Sequence, residues 1–315
     1  MGWRSPHLPL LLFPLLTLLV RGVMNSGFRI CAYNVQKFNM DKASNHRVLH
    51  TLTRVVARCD ITLLQEVIDS DGKVINTLLT LLNRGAERYE DYSYQSVSSK
   101  ALGNSPSDMQ QYVFIFRTET ANVTDQHQYE RKQSFVREPF AIHVQSEKTE
   151  IKTFVLVALH TEPSQAVQEI DRLYDVFEEV SNKWNNSNVM FLGDFHASCA
   201  YVTRVDKKNI RLFTDSRFSW LIGDKVDTTV SDQTTCAYDR IVVYGQPFLK
   251  AIRPFSAKVF NIRREFKLSK SKVLELSDHL PVEVKLKGSA HLLQATPLPV
   301  LLSACAMVQS FLSTL

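Results

Sequence analysis

Apolar residues between Phe28 and Lys287 come in short runs whose spacing changes repeatedly from continuous to helical. Phe28–Val35 is β-rich and Ile61–Leu64 reads as a short buried strand. Tyr112–Phe116, Phe154–Leu159, Val189–Leu192, Arg240–Tyr244 and Val282–Leu286 predict further strands. Lys42–Arg58 carries Val48, Leu52, Val55 and Val56 near one stripe, which predicts a helix, and Gly72–Arg84 predicts another. The clearest helix opens after Pro163, a residue suited to a first turn. There Val167, Ile170, Tyr174, Phe177, Val180 and Trp184 recur at three-and-four spacing, the pattern of one buried face. Strands outnumber helices, and strands that are apolar throughout fit sheets covered on both faces. No linker, repeat or low-complexity run interrupts 28–287. The pattern predicts one α/β domain over 28–287, with two packed sheets and helices outside.

Both ends depart from that pattern. Arg4 is followed by an apolar run from Leu8 to Val20, then by Gly22, Ser26 and Gly27. This layout predicts a secretory signal peptide over 1–27, against an uncleaved anchor; the apolar run is shorter than the ~20 residues of a membrane span. At the other end Gly288-Ser289-Ala290 precedes an uncharged apolar stretch from about Leu298 to Leu315. A small triplet, a spacer and an apolar tail over 288–315 match a lipid-anchor signal; a plain C-terminal membrane helix and a retained apolar tail are the alternatives. Each reading implies the secretory pathway, and most imply association with a membrane. Localisation at the endoplasmic reticulum, the cell surface or outside the cell all fit.

Composition narrows the class. Hydrophobic residues make up 44% and charged residues 22% of 315 residues, which excludes wholesale disorder and collagen-like or coiled-coil chains. Lys plus Arg is 37 and Asp plus Glu 32, giving +5. That mild excess is compatible with a polyanionic partner without requiring one. The five cysteines are too few for a disulfide scaffold and form no zinc-like CxxC pair. In an oxidising compartment Cys31, Cys59, Cys199 and Cys236 are free to pair, while Cys305 lies in the tail. Asn122-Val-Thr and Asn185-Asn-Ser are glycosylation sequons.

The polar residues that chemistry needs gather at strand ends. Asn34 follows the first strand, Gln65-Glu66 the second, and His160 ends Phe154–Leu159. Gly193-Asp194-Phe195-His196 follows another strand, while Tyr238-Asp239-Arg240 and Ser277-Asp278-His279 precede two more. Rigid elements aim such side chains well. No GxSxG, HExxH or GxxxxGK[ST] run is present. Oxygen ligands such as Glu66, Asp194 and Asp278 suit Mg²⁺ or Ca²⁺ better than zinc. A hard cation, two histidines and an amide together suit phosphodiester hydrolysis: one imidazole activates water and the other protonates the leaving oxygen.

Several runs appear in order: Phe28-Arg-Ile-Cys-Ala-Tyr-Asn34, Leu64-Gln-Glu66-Val, Arg137-Glu-Pro139, Val157-Ala-Leu-His160, Leu173-Tyr-Asp-Val176, Leu192-Gly-Asp-Phe195, Cys236-Ala-Tyr-Asp-Arg240 and Ser277-Asp-His-Leu-Pro-Val-Glu283. In these the chain resembles the deoxyribonuclease I family, within the wider endonuclease/exonuclease/phosphatase superfamily, from Phe28 to about Lys287. The signal and apolar tail look most like its membrane-linked deoxyribonuclease-I-like 1 branch. The resemblance implies a four-layer α/β sandwich with two packed β-sheets and outer helices. It implies a monomer that cuts DNA endonucleolytically with Mg²⁺ and Ca²⁺, and leaves actin binding open. By motif, His160 and His279 match the acid/base pair, Glu66 the metal carboxylate, and Asp194 the residue beside metal and attacking water. Asp239 and Asp278 match carboxylates that orient the histidines. Asn34 and Arg137 match phosphate contacts, and Tyr238 belongs to the DNA-binding set. Cys199 and Cys236 match the disulfide shared across the family, and Asp227 and Thr229 a structural calcium loop.

Four positions depart from the family pattern. His196 stands where the family has Asn. Gln110 stands where a carboxylate orients the strand-end histidine; Asp108, two residues earlier, is the alternative partner. Ile68 replaces a minor-groove Arg, and an aromatic near Asp108 that stacks on the sugar is replaced. Three readings compete: an active, metal-dependent DNA endonuclease, a nuclease-like protein that binds without efficient cutting, and a phosphodiesterase acting on lipid or inositol headgroups. The Cys236–Arg240 run favours the nuclease.

Overall fold

A computed structural model describes residues 27–86, 92–130 and 134–289. The expected signal, apart from Gly27, and the apolar tail beyond Ser289 lie outside the described residues. No helix among the described residues is long and apolar enough to cross a membrane.

Twelve strands are present among these residues. In chain order they are β1 (Phe28–Phe38), β2 (Ile61–Val67), β3 (Tyr94–Ser98), β4 (Gln111–Arg117), β5 (Asn122–Gln128) and β6 (Phe140–Gln145), then β7 (Thr153–Ala158), β8 (Val189–Asp194), β9 (Phe218–Trp220), β10 (Asp239–Tyr244), β11 (Lys258–Val259) and β12 (Val282–Leu286). They build two mixed six-stranded sheets, ordered β11-β12-β1-β2-β4-β3 and β5-β6-β7-β8-β10-β9. Each has one parallel pair, β1 with β2 and β7 with β8. A parallel pair needs a crossover, and each crossover carries helix: His46–Val56 in the first, Ala166–Trp184 in the second. Both strands of such a pair end at the same edge. That is why Asn34, Glu66, His160 and Asp194 come out together.

The core has three parts. Ile30, Ala32, Leu63 and Phe114 of the first sheet meet Ile142, Leu156, Met190 and Leu192 of the second. The outer face of the first sheet packs Tyr33, Leu64 and Val113 on Leu52, Val55 and Leu78 of its helices. The outer face of the second packs Val155, Val157 and Phe191 on Ile170, Leu173 and Val180. Alternate side chains of one strand enter different cores, so both of its faces must be apolar. The expected four-layer sandwich is present.

Three details differ from the sequence pattern. The helix expected over Lys42–Arg58 is two, Met40–Ser44 and His46–Val56. Between them Asn45 turns extended, and its side chain accepts from the Arg47 and Val48 amides as an N-cap. Strands β3, β5, β6, β9 and β11 were not expected; β5 is a mostly exposed, polar edge strand with no apolar alternation. The helix after Pro163 begins with a 3₁₀ turn, and its buried face is Ala166, Glu169, Ile170, Leu173, Val176, Phe177 and Val180. Val167, Tyr174 and Trp184 sit at the edge of that face, only partly buried.

Candidate active site

Gly193 places Asp194. Its φ is +134°, and a Cβ there would lie 2.3 Å from the Leu159 carbonyl oxygen and 2.6 Å from the Gln65 amide nitrogen. Only glycine fits a strand pressed this closely on its neighbours. Gln65 uses the contact to lock the sheets together: its Nε2 donates to the Leu159 carbonyl (2.7 Å) and its Oε1 accepts from the Asp194 amide (2.9 Å). Glu66 follows with φ +57° at an irregularity in the β2 pairings, which turns its carboxylate out of the ladder.

Asn34 bridges the two acids. Its Nδ2 donates to Glu66 Oε1 (2.9 Å) and to Asp194 Oδ2 (3.1 Å), and its Oδ1 accepts from the Gln36 amide. The two histidines come from opposite sides. His160 Nε2 is 3.7 Å from Asp194 Oδ2 and 3.9 Å from Glu66 Oε1. His279 Nε2 is 3.5 Å from the same Asp194 oxygen. The two nitrogens are therefore no farther apart than those two distances laid end to end, which spans one phosphate. His279 Nδ1 meets Asp239 Oδ2 at 2.8 Å, and His160 Nδ1 meets Gln110 Oε1 at 2.8 Å.

These surroundings push the two imidazoles in opposite directions. Burial drives the His160 pKa down to about 3, although Asp194 opposes the shift. Burial also acts against charge on His279, but Asp239 and Asp194 outweigh it and push the value up to about 10. Asp194 is buried too, yet the surrounding imidazoles hold its carboxyl below the usual range. The free protein thus presents a neutral imidazole and an imidazolium across one ionised carboxylate. Glu66 and Asp194 are hard oxygen donors, and Asp239 Oδ1 is buried without a hydrogen-bond partner. This donor set fits a hard divalent cation held chiefly by Glu66 and Asp194.

A profile of the Endonuclease/Exonuclease/phosphatase family matches residues 31–279. The chain belongs to that family. It is 41% identical over 283 residues to Deoxyribonuclease gamma of Homo sapiens, covering 88% of this chain and 92% of that protein. It is 40% identical over 304 residues to Deoxyribonuclease-1-like 1 of Mus musculus, covering 95% and 91%. Identities this close single out no branch, but they place the chain among the deoxyribonuclease I relatives of the family. Among solved structures, an endonuclease/exonuclease/phosphatase from Bacteroides vulgatus superposes with a TM-score of 0.57 at 14% identity, covering 83% of this chain and 99% of that one. Human Nocturnin gives 0.55 at 14%, covering 84% and 95%. At those identities the likeness is one of fold.

Not every expected residue of this nuclease-family site is where its motif implied. Asp278 is exposed and hydrogen-bonds neither imidazole. Its backbone carbonyl pairs with the Val230 amide, and its side chain faces a cleft of about 500 Å³ beside His279. It lines that cleft together with His279, but the carboxylate that meets the His279 ring is Asp239, at 2.8 Å. Asp108 does not replace Gln110, because it pairs with Arg137 at 3.0 Å. Arg137 is buried, also pairs with Glu162 at 3.2 Å, and donates to the His160 and Thr161 carbonyls. Its guanidinium therefore braces the His160 strand end on the wall of a second cleft of about 280 Å³, which Lys37, Glu66, Gln110, His160 and His196 also line. Ile68 is 39% exposed at its rim.

His196, with φ +46°, packs edge-on against Tyr201 and tilted against Tyr238, and stacks on His160 at 5.7 Å between ring centroids. Its Nδ1 is 3.4 Å from Asp194 Oδ1. Asp227 Oδ1 accepts from both the amide and the hydroxyl of Thr229, closing its own turn. Cys199 and Cys236 are bonded, which ties the loop after Asp194 to the loop before Asp239. Cys31 and Cys59 form a second disulfide.

Sequence reasoning missed the supports. Glu169 is fully buried, accepts from the Val136 amide (2.8 Å) and the Glu162 amide (2.9 Å), and so clamps the segments on either side of Arg137 and His160. Burial raises its pKa to about 7 against those two donors. Its signal was available: an acid on the apolar stripe of an amphipathic helix. The Tyr112 hydroxyl accepts from the His160 amide and donates to the Arg137 carbonyl. The Ser277 hydroxyl donates to the Asn34 carbonyl and accepts from the His279 amide. A tyrosine in an apolar strand and a serine in a loop carry no comparable pattern.

Proposed function

We propose that this chain hydrolyses phosphodiester bonds of DNA as a divalent-metal-dependent endonuclease. Its relatives are named deoxyribonucleases, and the carrying observation is that His160 Nε2 and His279 Nε2 both face Asp194 Oδ2, at 3.7 and 3.5 Å. A hard cation at Glu66 and Asp194, Mg²⁺ in this reading, supplies charge compensation for the phosphate. His160, uncharged, accepts a proton from water; His279, charged and oriented by Asp239, donates one to the leaving oxygen. Asn34 keeps the carboxylates together. Tyr238 contributes an aromatic face along the DNA path, while Arg137, expected at a phosphate contact, has its guanidinium taken up by Asp108, Glu162 and two carbonyls and supports the His160 strand end; the turn at Asp227 and Thr229 is assigned to structural Ca²⁺. Secretion through the signal over 1–27, retention by the apolar tail, and a monomeric state complete the reading; two disulfides support an oxidising compartment.

Gln110 favours a second reading, a nuclease slowed by the loss of an orienting charge. It accepts the His160 Nδ1 hydrogen but cannot stabilise an imidazolium. Plasmid nicking with Mg²⁺ and Ca²⁺ separates the readings. The wild-type chain is expected to nick supercoiled plasmid at least ~10²-fold faster than His160→Ala. Equal rates would remove His160 from the chemistry, and no metal-dependent nicking by the wild type would leave the binding protein.

A further inference from the structure

The helix His46–Val56 buries Val48, Leu49, Leu52, Val55 and Val56 against the first sheet and leaves Arg47, His50 and Arg54 exposed at three-and-four spacing. This basic stripe borders a groove of about 560 Å³ on the outside of that sheet, closed by Leu81 of the helix Lys73–Ala86 and by Leu268 and Lys272. The leucines are partly buried on the core and form an apolar floor. Arg47, Arg54 and Lys272 set three cations around it, and no carboxylate is among the described residues that line it. We propose that this groove is an auxiliary DNA-binding site, which holds the sugar–phosphate backbone of the substrate at a distance from the bond being cut.

Three observations carry this. The first is charge left without a counterpart. Arg47 meets Glu275 at 3.4 Å, but both side chains are exposed, so the pair is weak and easily exchanged for a phosphate. The Arg54 guanidinium lies 3.8 Å over the Phe266 ring, which holds the side chain without neutralising it. Lys272 meets no acid among the described residues, and cations in this state attract a polyanion. The second is continuity with the active site. The segment Arg263–Lys272 carries five basic residues and one acid. Lys270 lines the cleft that holds His279, while Lys272 lines the groove. Seven residues lead from Lys272 to His279, a reach of at most about 25 Å, or about seven base-pair rises of DNA. A duplex extending one turn past the cleaved bond is long enough to arrive there. The third is shape. A concave, apolar floor with cations on its rim suits deoxyribose below and phosphates at the sides, whereas a flat membrane surface touches only the rim. The chain's own ends supply no anionic occupant, since 1–26 and 290–315 contain neither Asp nor Glu.

This assignment rests on the DNA-cutting reading above, and two substrates keep the two apart. Cutting by the full chain with Mg²⁺ and Ca²⁺ is followed on a duplex of about 30 base pairs and on a hairpin of about 8, too short to span active site and groove together. The double variant Arg47→Glu/Lys272→Glu, checked for native circular dichroism, is expected to raise KM for the long duplex about 10-fold and to leave kcat, and all cutting of the hairpin, within about twofold. Its binding to the long duplex, measured in chelator, should depend less steeply on salt, by about 2 in the log–log slope. Arg47→Gln/Lys272→Gln removes the charges without reversing them and should give a smaller rise in KM of the same kind. Lys250→Glu/Arg253→Glu makes the same change in net charge outside the groove and should leave KM within about twofold. An unchanged KM for the long duplex in the folded charge-reversal variant overturns the site, and so does an equal rise in the Lys250/Arg253 control. Loss of sedimentation with phosphatidylserine vesicles, while the long duplex is cut as by the wild type, would assign the groove to a membrane instead. A wild type that cuts neither substrate removes the DNA-cutting reading itself, and the groove's assignment falls with it.

Discussion

The two histidine arms of the site use the same side chain in opposite states. His279 leans on a buried carboxylate, Asp239, and holds its proton; His160 leans on an amide, Gln110, and does not. Both rings are almost fully buried, so burial alone cannot explain the difference. The partner decides: a carboxylate returns enough Coulomb attraction to overcome desolvation, and an amide returns none.

The comparison can be broken most severely on the carboxylate side. Asp239→Asn should lower the nicking rate about 10⁴-fold, by analogy with the loss of a triad carboxylate, while leaving the fold intact by circular dichroism. A loss below tenfold would mean that the Asp239 charge is not what equips His279. On the amide side, Gln110→Glu should make the arms alike. The His160 pKa, followed by NMR of the ring protons, should rise, and nicking should accelerate by about 10–10²-fold. No movement of either would show that the amide is not what keeps His160 neutral.

A smaller effect concerns the scaffold of the amide arm. Glu169→Gln leaves one oxygen acceptor and turns an NH₂ toward either the Val136 or the Glu162 amide. Destabilisation of roughly 1–3 kcal/mol is expected in urea titrations, with kcat reduced more than KM is raised, because His160 and Arg137 shift together. An unchanged urea midpoint would mean that Glu169 is not the clamp.

The gentlest probe is pH. The folded His279 value of about 10 lies above the ordinary 6.5, so its contribution to stability is complete below pH 6.5 and fades as pH rises through 10. The folded His160 value of about 3 lies below 6.5, so its burial is harmless above pH 6.5 and destabilises as pH falls toward 3. Urea titrations across this range should show both limbs, and Asp239→Asn should flatten the alkaline one. An alkaline limb unchanged by that substitution would separate it from His279.

Much of this was legible in the chain, for identifiable reasons. Continuous apolar strands announced two-sided burial, and the strand-end polar residues were recognisable because few other places in such a fold tolerate them. Asp278 misled because a motif shows adjacency and not partnership: its side chain is exposed beside His279, and the carboxylate that accepts from that ring is Asp239, 40 residues away. Glu169 passed as one more helix position, since its partners, two backbone amides, leave no trace in side-chain spacing. Strand β5 escaped because an exposed edge strand needs no apolar alternation. The pairing of Cys31 with Cys59 was open because four cysteines in one compartment permit more than one arrangement.

What the sequence determined alone is the inventory: which strands are apolar on both faces, which helix has one buried stripe, and which carboxylates, amides and imidazoles stand at strand ends. These follow from local periodicity and side-chain chemistry, which need no knowledge of neighbours. Only the tertiary structure decided who faces whom. The pairing of Asp239 with His279 and of Gln110 with His160 joins residues 40 and 50 positions apart, and the protonation states of the two histidines follow from burial and partner charge, which exist only once the two sheets have closed on each other.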